Sequence, residues 1–405
     1  MPNDETDASD KNEPFPTYEG EFKEFFLTPV VTVKIPARYT NISMMGSNSR
    51  GLTLRCMDTH TNQHVAIRFL NKTFDSEELA MHTLREIKLL LAANHKNIVK
   101  LVNLFSPNLH FDGRSTQKLT EVYIVVEKVH STLSHVINMT RIGKTKLSHK
   151  HMSFLMYQVL CVVKYLHNSN IIHRDLKPDN IGVTEKGCEI KLLDFGLSRP
   201  EAHDLQHSPY VVTRFYRAPE IVLGMEYDRK VDVWSIGCIL AEMIAKKIMF
   251  PGEHYFLQWS AIVRVLGKPK KAFLDKLDER TREYALSAGP MSPIPMENLF
   301  PEQSCSFPED EDPVNLENAK DFLKNVLLID PAERYTIDAA LNHKYISYWA
   351  DESELNVPPI EEFDDDLLMK SSCAKESIAD EIRNYGKKKN IFNDEILPKR
   401  DNGYP

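Results

Sequence analysis

The sequence predicts an α+β protein in two lobes, strand-rich first and helical afterwards, and three observations predict it. Short runs of β-branched and aromatic residues crowd the stretch from Arg38 to about Glu127. Beyond it the apolar spacing becomes helical, and segments 148–167 and 231–245 are apolar nearly all round, as in helices buried in a lobe core. The order is strands and then helices, with the two lobes joined near 127–130.

The elements follow in chain order. Residues 1–20 are rich in Asp, Glu, Asn and Pro, an expected disordered acidic N-terminus. Strands are predicted at 41–45, 52–58, 64–70 and 122–127. One helix interrupts them. It opens on Asp75-Ser76-Glu77-Glu78, a capping-box-like Asp-x-x-Glu start, and runs through Leu79, Leu84, Ile87, Leu90 and Leu91. Residues 268–313 carry prolines at 269, 290, 293, 295, 301, 308 and 313 and read as an irregular insertion. The tail 351–405 begins acidic and later carries Lys387, Lys388 and Lys389. No internal repeat is visible.

Composition bounds the function. At 405 residues the chain is ample for a two-lobed enzyme with a sizeable core. A hydrophobic content of 42% and a charged content of 27% are those of a globular protein. The net charge of −8 argues against nucleic acid as a partner and leaves room for basic peptides. Six scattered cysteines form no CxxC pair, so reduced thiols are expected rather than a disulfide framework or a zinc site. The start MPNDETDASD has no apolar core of a signal peptide, and no apolar run approaches membrane length. A soluble, cytoplasmic monomer without membrane contact is expected, and the basic run 387–389 would suit nuclear entry.

The strongest chemical signal is His173-Arg174-Asp175-Leu176-Lys177-Pro178-Asp179-Asn180, followed by Asp194-Phe195-Gly196 and then Ala218-Pro219-Glu220. Phosphoryl transfer needs a carboxylate near the attacking hydroxyl, metal ions on the phosphates, and positive charge where the leaving group develops. Asp175 is the candidate base that orients the hydroxyl, and Lys177 could reach the transferred group. Asn180 and Asp194 offer the hard oxygen donors that Mg²⁺ prefers. Three ordered motifs at these spacings leave little room for a plain polar loop.

The pattern resembles the protein kinase family over residues 38–348. The resemblance implies a bilobal kinase fold with an N-lobe over 38–127, a C-lobe over 128–348, and ATP and Mg²⁺ as cofactors. Glu86 falls where the family's helix glutamate belongs. Its usual lysine partner, in Val-Ala-Ile-Lys, appears here as Val65-Ala66-Ile67-Arg68. Strand period two puts Ala66, expected under the adenine, on one face with Arg68, expected toward the phosphates. The phosphate-cradling pattern G-x-G-x-x-G-x-V appears as Gly46-Ser47-Asn48-Ser49-Arg50-Gly51-Leu52-Thr53. Asn48 replaces the middle glycine, and asparagine tolerates left-handed backbone better than other side chains. Thr53 replaces the valine that roofs the adenine. Arg50 and Arg55 read as solvated. Glu127 and Val129 are expected to offer backbone groups to adenine, and Leu90, His173 and Phe195 match the family's regulatory stack.

Within that family the chain is most similar to the MAP kinases of the c-Jun N-terminal kinase group. Ser208-Pro209-Tyr210 resembles their Thr-x-Tyr activation lip, with Ser in place of Thr. The resemblance implies phosphorylation of Ser208 and Tyr210 by an upstream dual-specificity MAP kinase kinase. Each phosphate adds about −1.5 to −2 charge and needs cations to receive it. Arg85, Arg174 and Arg199 match the receivers of the first phosphate, and Arg214 and Arg217 those of phosphotyrosine. Residues 268–313 look like the MAP-kinase insert, and Arg334 sits where the partner of Glu220 belongs. In the tail, 349–405, Asp351, Glu352 and Glu354 resemble the acidic patch that captures basic docking motifs on substrates, activators and phosphatases. A longer loop near 140–146 lies close to that expected groove. Segment 211–217 implies a preference for Ser/Thr followed by Pro.

Two functions remain in view. One is an active stress-activated type of proline-directed kinase. The other is a pseudokinase or weak kinase acting as a docking module, argued from Arg68, Asn48 and Thr53 together.

Overall fold

A computed structural model describes residues 22–29, 31–48, 50–109, 119–184, 188–200, 214–288, 292–301, 312–361, 363 and 373–388. By its internal contacts the chain divides into two compact units. One comprises 1–83, 101–128 and 371–405, the other 84–100 and 129–370.

The first unit is built on a five-stranded antiparallel sheet of order β3-β4-β5-β7-β6. Its strands are β3 (Tyr39–Asn48), β4 (Gly51–Asp58), β5 (Gln63–Leu70), β6 (Leu101–Phe105) and β7 (Val122–Glu127). A separate hairpin of β1 (Phe22–Thr28) and β2 (Val31–Pro36) precedes it. Alternation decides which face is apolar. Leu54 and Cys56, Val65, Ile67 and Phe69, and Tyr123 and Val125 point into one core, together with Val33 and Ile35 of the hairpin. The ring of Tyr123 lies between Phe69 and Phe105, each 4.8 Å away centre to centre. Ala66 and Arg68 alternate with those core residues and so lie on the opposite face. Helix α14 (Ala374–Lys388) also belongs to this unit. It packs on β6, where the Tyr385 hydroxyl donates to the Val102 carbonyl at 2.8 Å.

Helix α1 (Glu77–Ala92) begins in the first unit and ends in the second. Its start corrects the expected capping box. Ser76, not Asp75, caps it, its Oγ accepting from the Leu79 N–H at 3.2 Å. The N3 residue is then a leucine, which cannot reach back.

The second unit is helical. Its centre is α3 (His149–Asn168) and α5 (Lys230–Ala245), which pack together and are buried along most of their lengths. Around them lie α2 (Leu133–Arg141), α4 (Pro219–Val222), α6 (Tyr255–Leu266), α10 (Leu316–Val326), α11 (Ile337–Leu341), α12 (Lys344–Ser347) and α13 (Glu352–Leu355). Short strand pairs frame the loops: β8 (Ser131–Thr132) and β11 (Ile190–Leu192) flank β10 (Ile181–Val183), and β12 (Arg199–Pro200) pairs with β9 (Ile171–Ile172). The proline-rich stretch is less irregular than expected. It holds α7 (Lys271–Leu274), α8 (Glu279–Leu286) and α9 (Met296–Leu299), and Asp278 caps α8 through the Thr281 N–H. Proline there separates short helices rather than excluding them.

No described helix is long and apolar enough to cross a membrane. Cys56, Cys161, Cys188, Cys238 and Cys373 are free thiols, and burial pushes Cys56 up to about 12 and Cys161 up to about 11. Cys305 lies outside the described residues.

Candidate active site

The loop from His173 to Asn180 is held from below by one buried carboxylate. Asp232, in the first turn of α5, accepts from the His173 N–H and the Arg174 N–H, each at 2.9 Å, and pairs with His167 Nε2 at 2.9 Å. Burial alone would raise its carboxyl. The His167 hydrogen bond and neighbouring charges overcome that and hold it below the usual range. These anchors fix a strained residue, since Arg174 has φ of 69°. Asp232 was missed in the sequence reading. Its signal is an acid inside an apolar helix, which folding tolerates only when it is bonded.

The anchored loop brings the phosphoryl-transfer candidates together. Lys177 Nζ donates to Asp175 Oδ2 at 2.7 Å. Asn180 Nδ2 donates to the same oxygen at 2.9 Å and to the Asp175 carbonyl at 2.8 Å. The amide nitrogen of Asn180 is thereby committed and its oxygen is turned to the other side. The Leu193 N–H reaches the Asn180 carbonyl at 2.9 Å, so Asp194 follows directly on the same loop framework. Asp194 Oδ1 accepts from the Gly196 N–H at 2.9 Å. Burial raises the Asp175 carboxyl above its ordinary value. Lys177 opposes the rise and Asp194 adds to it. The rings of His173 and Phe195 lie 5.6 Å apart, both buried, and Leu90 is buried on α1.

The donor set fits Mg²⁺. Among the described residues no group of three or more His, Cys, Asp or Glu could by itself hold an ion. Mg²⁺ does not need one, because it binds through one or two side-chain oxygens and completes its shell with water and phosphate.

In the first unit the nucleotide candidates form a register row. Gly46 pairs with Thr53, Thr53 with Arg68, and Arg68 with Ile124. Ala66, two residues before Arg68, pairs with Arg55 and Val126. A side chain at Gly46 would meet nothing within 4 Å, so β3 leaves open space there. At Gly51 a Cβ would come within 1.9 Å of the Phe69 carbonyl oxygen, which only glycine avoids. Asn48 corrects an expectation, since it is not left-handed. Its Oδ1 accepts from the Arg50 N–H at 2.9 Å and the Gly51 N–H at 3.1 Å, and the side chain shapes the turn. Arg50 is buried rather than solvated. Ser47 is exposed at the tip of β3, and Glu127 ends β7. In the second unit, Val129 fills the space beside Gly182, and Glu86 is fully buried on α1.

A cationic cluster surrounds Arg174. Burial lowers its guanidinium's hold on its proton, and Arg199, Arg85 and Arg217 push the same way against Tyr227, whose ring lies 5.7 Å beneath it. Arg85 is buried, and Arg199 is brought beside the loop by pairing with Ile172. Arg214 and Arg217 close a turn in which the Arg217 N–H donates to the Arg214 carbonyl at 3.0 Å. Ser208 and Tyr210 lie outside the described residues.

Glu220 and Arg334 form a fully buried bidentate pair at 2.6 and 2.9 Å. The acidic tail residues are less free than a bare patch. Asp351 caps α13 by accepting from the Ser353 N–H at 2.8 Å, and Glu354 is paired with Lys96. Glu352 is exposed.

The protein kinase domain family matches residues 39–346. The chain is similar to the "Stress-activated protein kinase JNK" of Suberites domuncula, 40% identical over 356 residues, covering 87% of this chain and 95% of that one. It is 39% identical to the Drosophila melanogaster protein of the same name over 357 residues, 87% and 92% of the two chains. It is 38% identical to the "Stress-activated protein kinase jnk-1" of Caenorhabditis elegans over 357 residues, 88% and 74% of the two chains.

Proposed function

The chain belongs to the protein kinase domain family, and from that premise we propose a proline-directed kinase of the stress-activated cascade, switched on by phosphorylation at Ser208 and Tyr210. It is a serine/threonine kinase of the MAP kinase type. One observation carries the reading: a single carboxylate oxygen, Asp175 Oδ2, is gripped by both Lys177 and Asn180 on a loop tied to Asp232.

Bound ATP and Mg²⁺ would supply the phosphoryl group and the charge that offsets its transfer. Asn180 and Asp194 would hold the metal. Gly46, Ser47, Asn48, Gly51, Thr53, Ala66 and Arg68, with backbone groups of Glu127 and Val129, would hold the nucleotide, and Glu86 would position Arg68. Asp175 orients the substrate hydroxyl and accepts its proton, and the burial that raises its carboxyl brings it closer to a working base. Lys177 keeps the carboxylate aimed and stabilises charge on the transferred group.

A cluster of like charges supports the switch. Arg85, Arg174 and Arg199 crowd one another, an arrangement that a phosphate on Ser208 would relieve. A preference for proline after the target hydroxyl is supported by the rigidity of the turn that carries Tyr216. Its hydroxyl donates to Glu242 at 2.6 Å, and its carbonyl accepts from Ser235 Oγ at 2.8 Å. Basic docking motifs on substrates, the upstream MAP kinase kinase and phosphatases would engage Asp351, Glu352 and Glu354, with Lys96 as the internal competitor for Glu354.

A second reading, a weak kinase used as a docking module, rests on Arg68, whose planar fork is not the compact ammonium of the family pattern. A phosphotransfer assay on doubly phosphorylated chain, with Asp175→Asn and Arg68→Lys beside it, separates the two. The first reading expects transfer to a Ser/Thr-Pro peptide that Asp175→Asn abolishes. Absence of Asp175-dependent transfer, restored by Arg68→Lys, would establish the second.

A further inference from the structure

Tyr255 is the first residue of α6, and two arginines converge on it. Arg217 Nη1 donates to its hydroxyl at 2.8 Å, and the Arg214 guanidinium lies over its ring, 5.1 Å from the centroid. The turn and the helix start are tied together twice more. Arg214 Nη1 donates to the Glu253 carbonyl at 3.1 Å, and Gln258 Nε2 reaches the Phe215 carbonyl at 3.5 Å.

This arrangement holds two like charges side by side without neutralising either. Among the described residues neither arginine is paired with a carboxylate, and the Arg214 Nε–H is buried with no acceptor. A buried donor left without a partner is costly, so such groups call for an explanation. A tyrosine suits the task. Its π face attracts a guanidinium, its hydroxyl accepts a hydrogen bond, and it brings no negative charge that an incoming anion would have to displace.

We infer that Tyr255 is the positioning residue of a phosphotyrosine receptor, aligning Arg214 and Arg217 before the phosphate of the lip arrives. The inference rests on the reading that Tyr210 is phosphorylated and held by those two arginines. It adds the group that pre-orders them. Pre-ordering matters because the two side chains otherwise lose rotamer freedom only when the phosphate binds. Once the phosphate takes the Arg217 donors, the Tyr255 hydroxyl can turn and donate to a phosphate oxygen.

The test uses the full chain with phosphotyrosine incorporated at position 210 during translation. Four proteins are compared: unaltered, Tyr255→Phe, Tyr255→Ala and Arg217→Ala. The readout is the rate at which a phosphotyrosine-specific phosphatase domain removes the phosphate, with thermal unfolding measured beside it. Arg217→Ala should be dephosphorylated fastest. Tyr255→Ala should be faster than unaltered protein by about tenfold, as for the loss of one hydrogen bond to a charged group. Tyr255→Phe should fall between, because the ring still carries Arg214. A merely structural tyrosine would lower the unfolding temperature and leave the dephosphorylation rate alone. Should Tyr255→Ala fail to fold, Tyr255→Phe carries the test through its hydroxyl alone. Tyr255 variants at the unaltered rate, with Arg217→Ala still fast, overturn the inference and leave the receptor standing. Arg217→Ala at the unaltered rate overturns the receptor and the inference with it.

Discussion

The loop around Asp175 and the strand row through Arg68 are the two regions proposed to serve phosphoryl transfer, and they differ in what has been kept. The loop has every residue type that the chemistry asks for, and its carboxylate is held by two side chains above an anchor of three bonds. The row Gly46–Thr53–Arg68 keeps its register, yet Thr53 and Arg68 are not the types that the family pattern has there. Position and chemistry are thus separable. Backbone pairing fixes where a side chain stands, and only the side chain decides what charge it delivers.

The sharpest way to break the comparison is at the loop. Asp175→Asn should lower the phosphotransfer rate by about 10²–10⁴-fold, the range of a lost general base. The same substitution should stabilise the chain. A folded carboxyl raised above its unfolded value holds its proton to higher pH, so stability falls as pH rises through that window and stays lower above it. Asparagine removes that cost. Its melting temperature should exceed that of unaltered protein at pH 7, and the two should converge below the unfolded carboxylate value of about 3.9. Loss of activity with loss of stability would mean that Asp175 serves the fold instead.

Next in size is the buried ion pair of the second unit. Arg334→Leu leaves Glu220 as an unpaired buried charge, and denaturant unfolding should show a loss of ~3–5 kcal/mol. Arg334 also donates to the Leu328 and Lys230 carbonyls, so replacement by lysine should recover only part of it.

The row is tested by restoring it. Arg68→Lys should raise the turnover rate by ~10- to 100-fold while nucleotide affinity, followed by thermal shift with Mg-ATP, changes less. A lower rate in Arg68→Lys would show that this row is adapted to arginine, and the contrast with the loop would disappear.

Much of this was legible in residue order because motif chemistry is local. His173 to Asn180, Asp194 and Glu220 announce themselves by type and spacing, and the long helices by apolar content. What escaped the reading depends on distant partners. The hairpin β1–β2 has alternation in Val31, Val33 and Ile35, but it precedes the expected start of the domain at 38. Strand β6 was hidden by Asn103, a polar residue at a buried position that is satisfied by donating to the Tyr39 hydroxyl at 2.9 Å. The role of Asp232 went unnoticed inside the apolar segment 231–245, because its three partners are about 60 residues earlier in sequence.

The smallest expected effect is at Asn48, and it bears most directly on how the row tolerates change. Its position in the phosphate-cradling pattern suggests a need for unusual backbone, yet its φ is not positive. What the turn needs is an acceptor for two N–H groups, those of Arg50 and Gly51, and the Asn48 side chain provides it. Asn48→Ala should therefore cost about 1 kcal/mol in unfolding of the first unit, and Asn48→Asp, which keeps the acceptor, much less. Nucleotide binding separates two causes. If the turn matters through its shape, Asn48→Ala should raise the KM for ATP several-fold and Asn48→Asp should leave the turn's contribution intact apart from charge repulsion, which added salt screens. Asn48→Gly, the type in the family pattern, removes the acceptor while freeing the backbone. A tighter-binding Asn48→Gly would mean that backbone approach to the phosphates, not the side-chain brace, limits this loop.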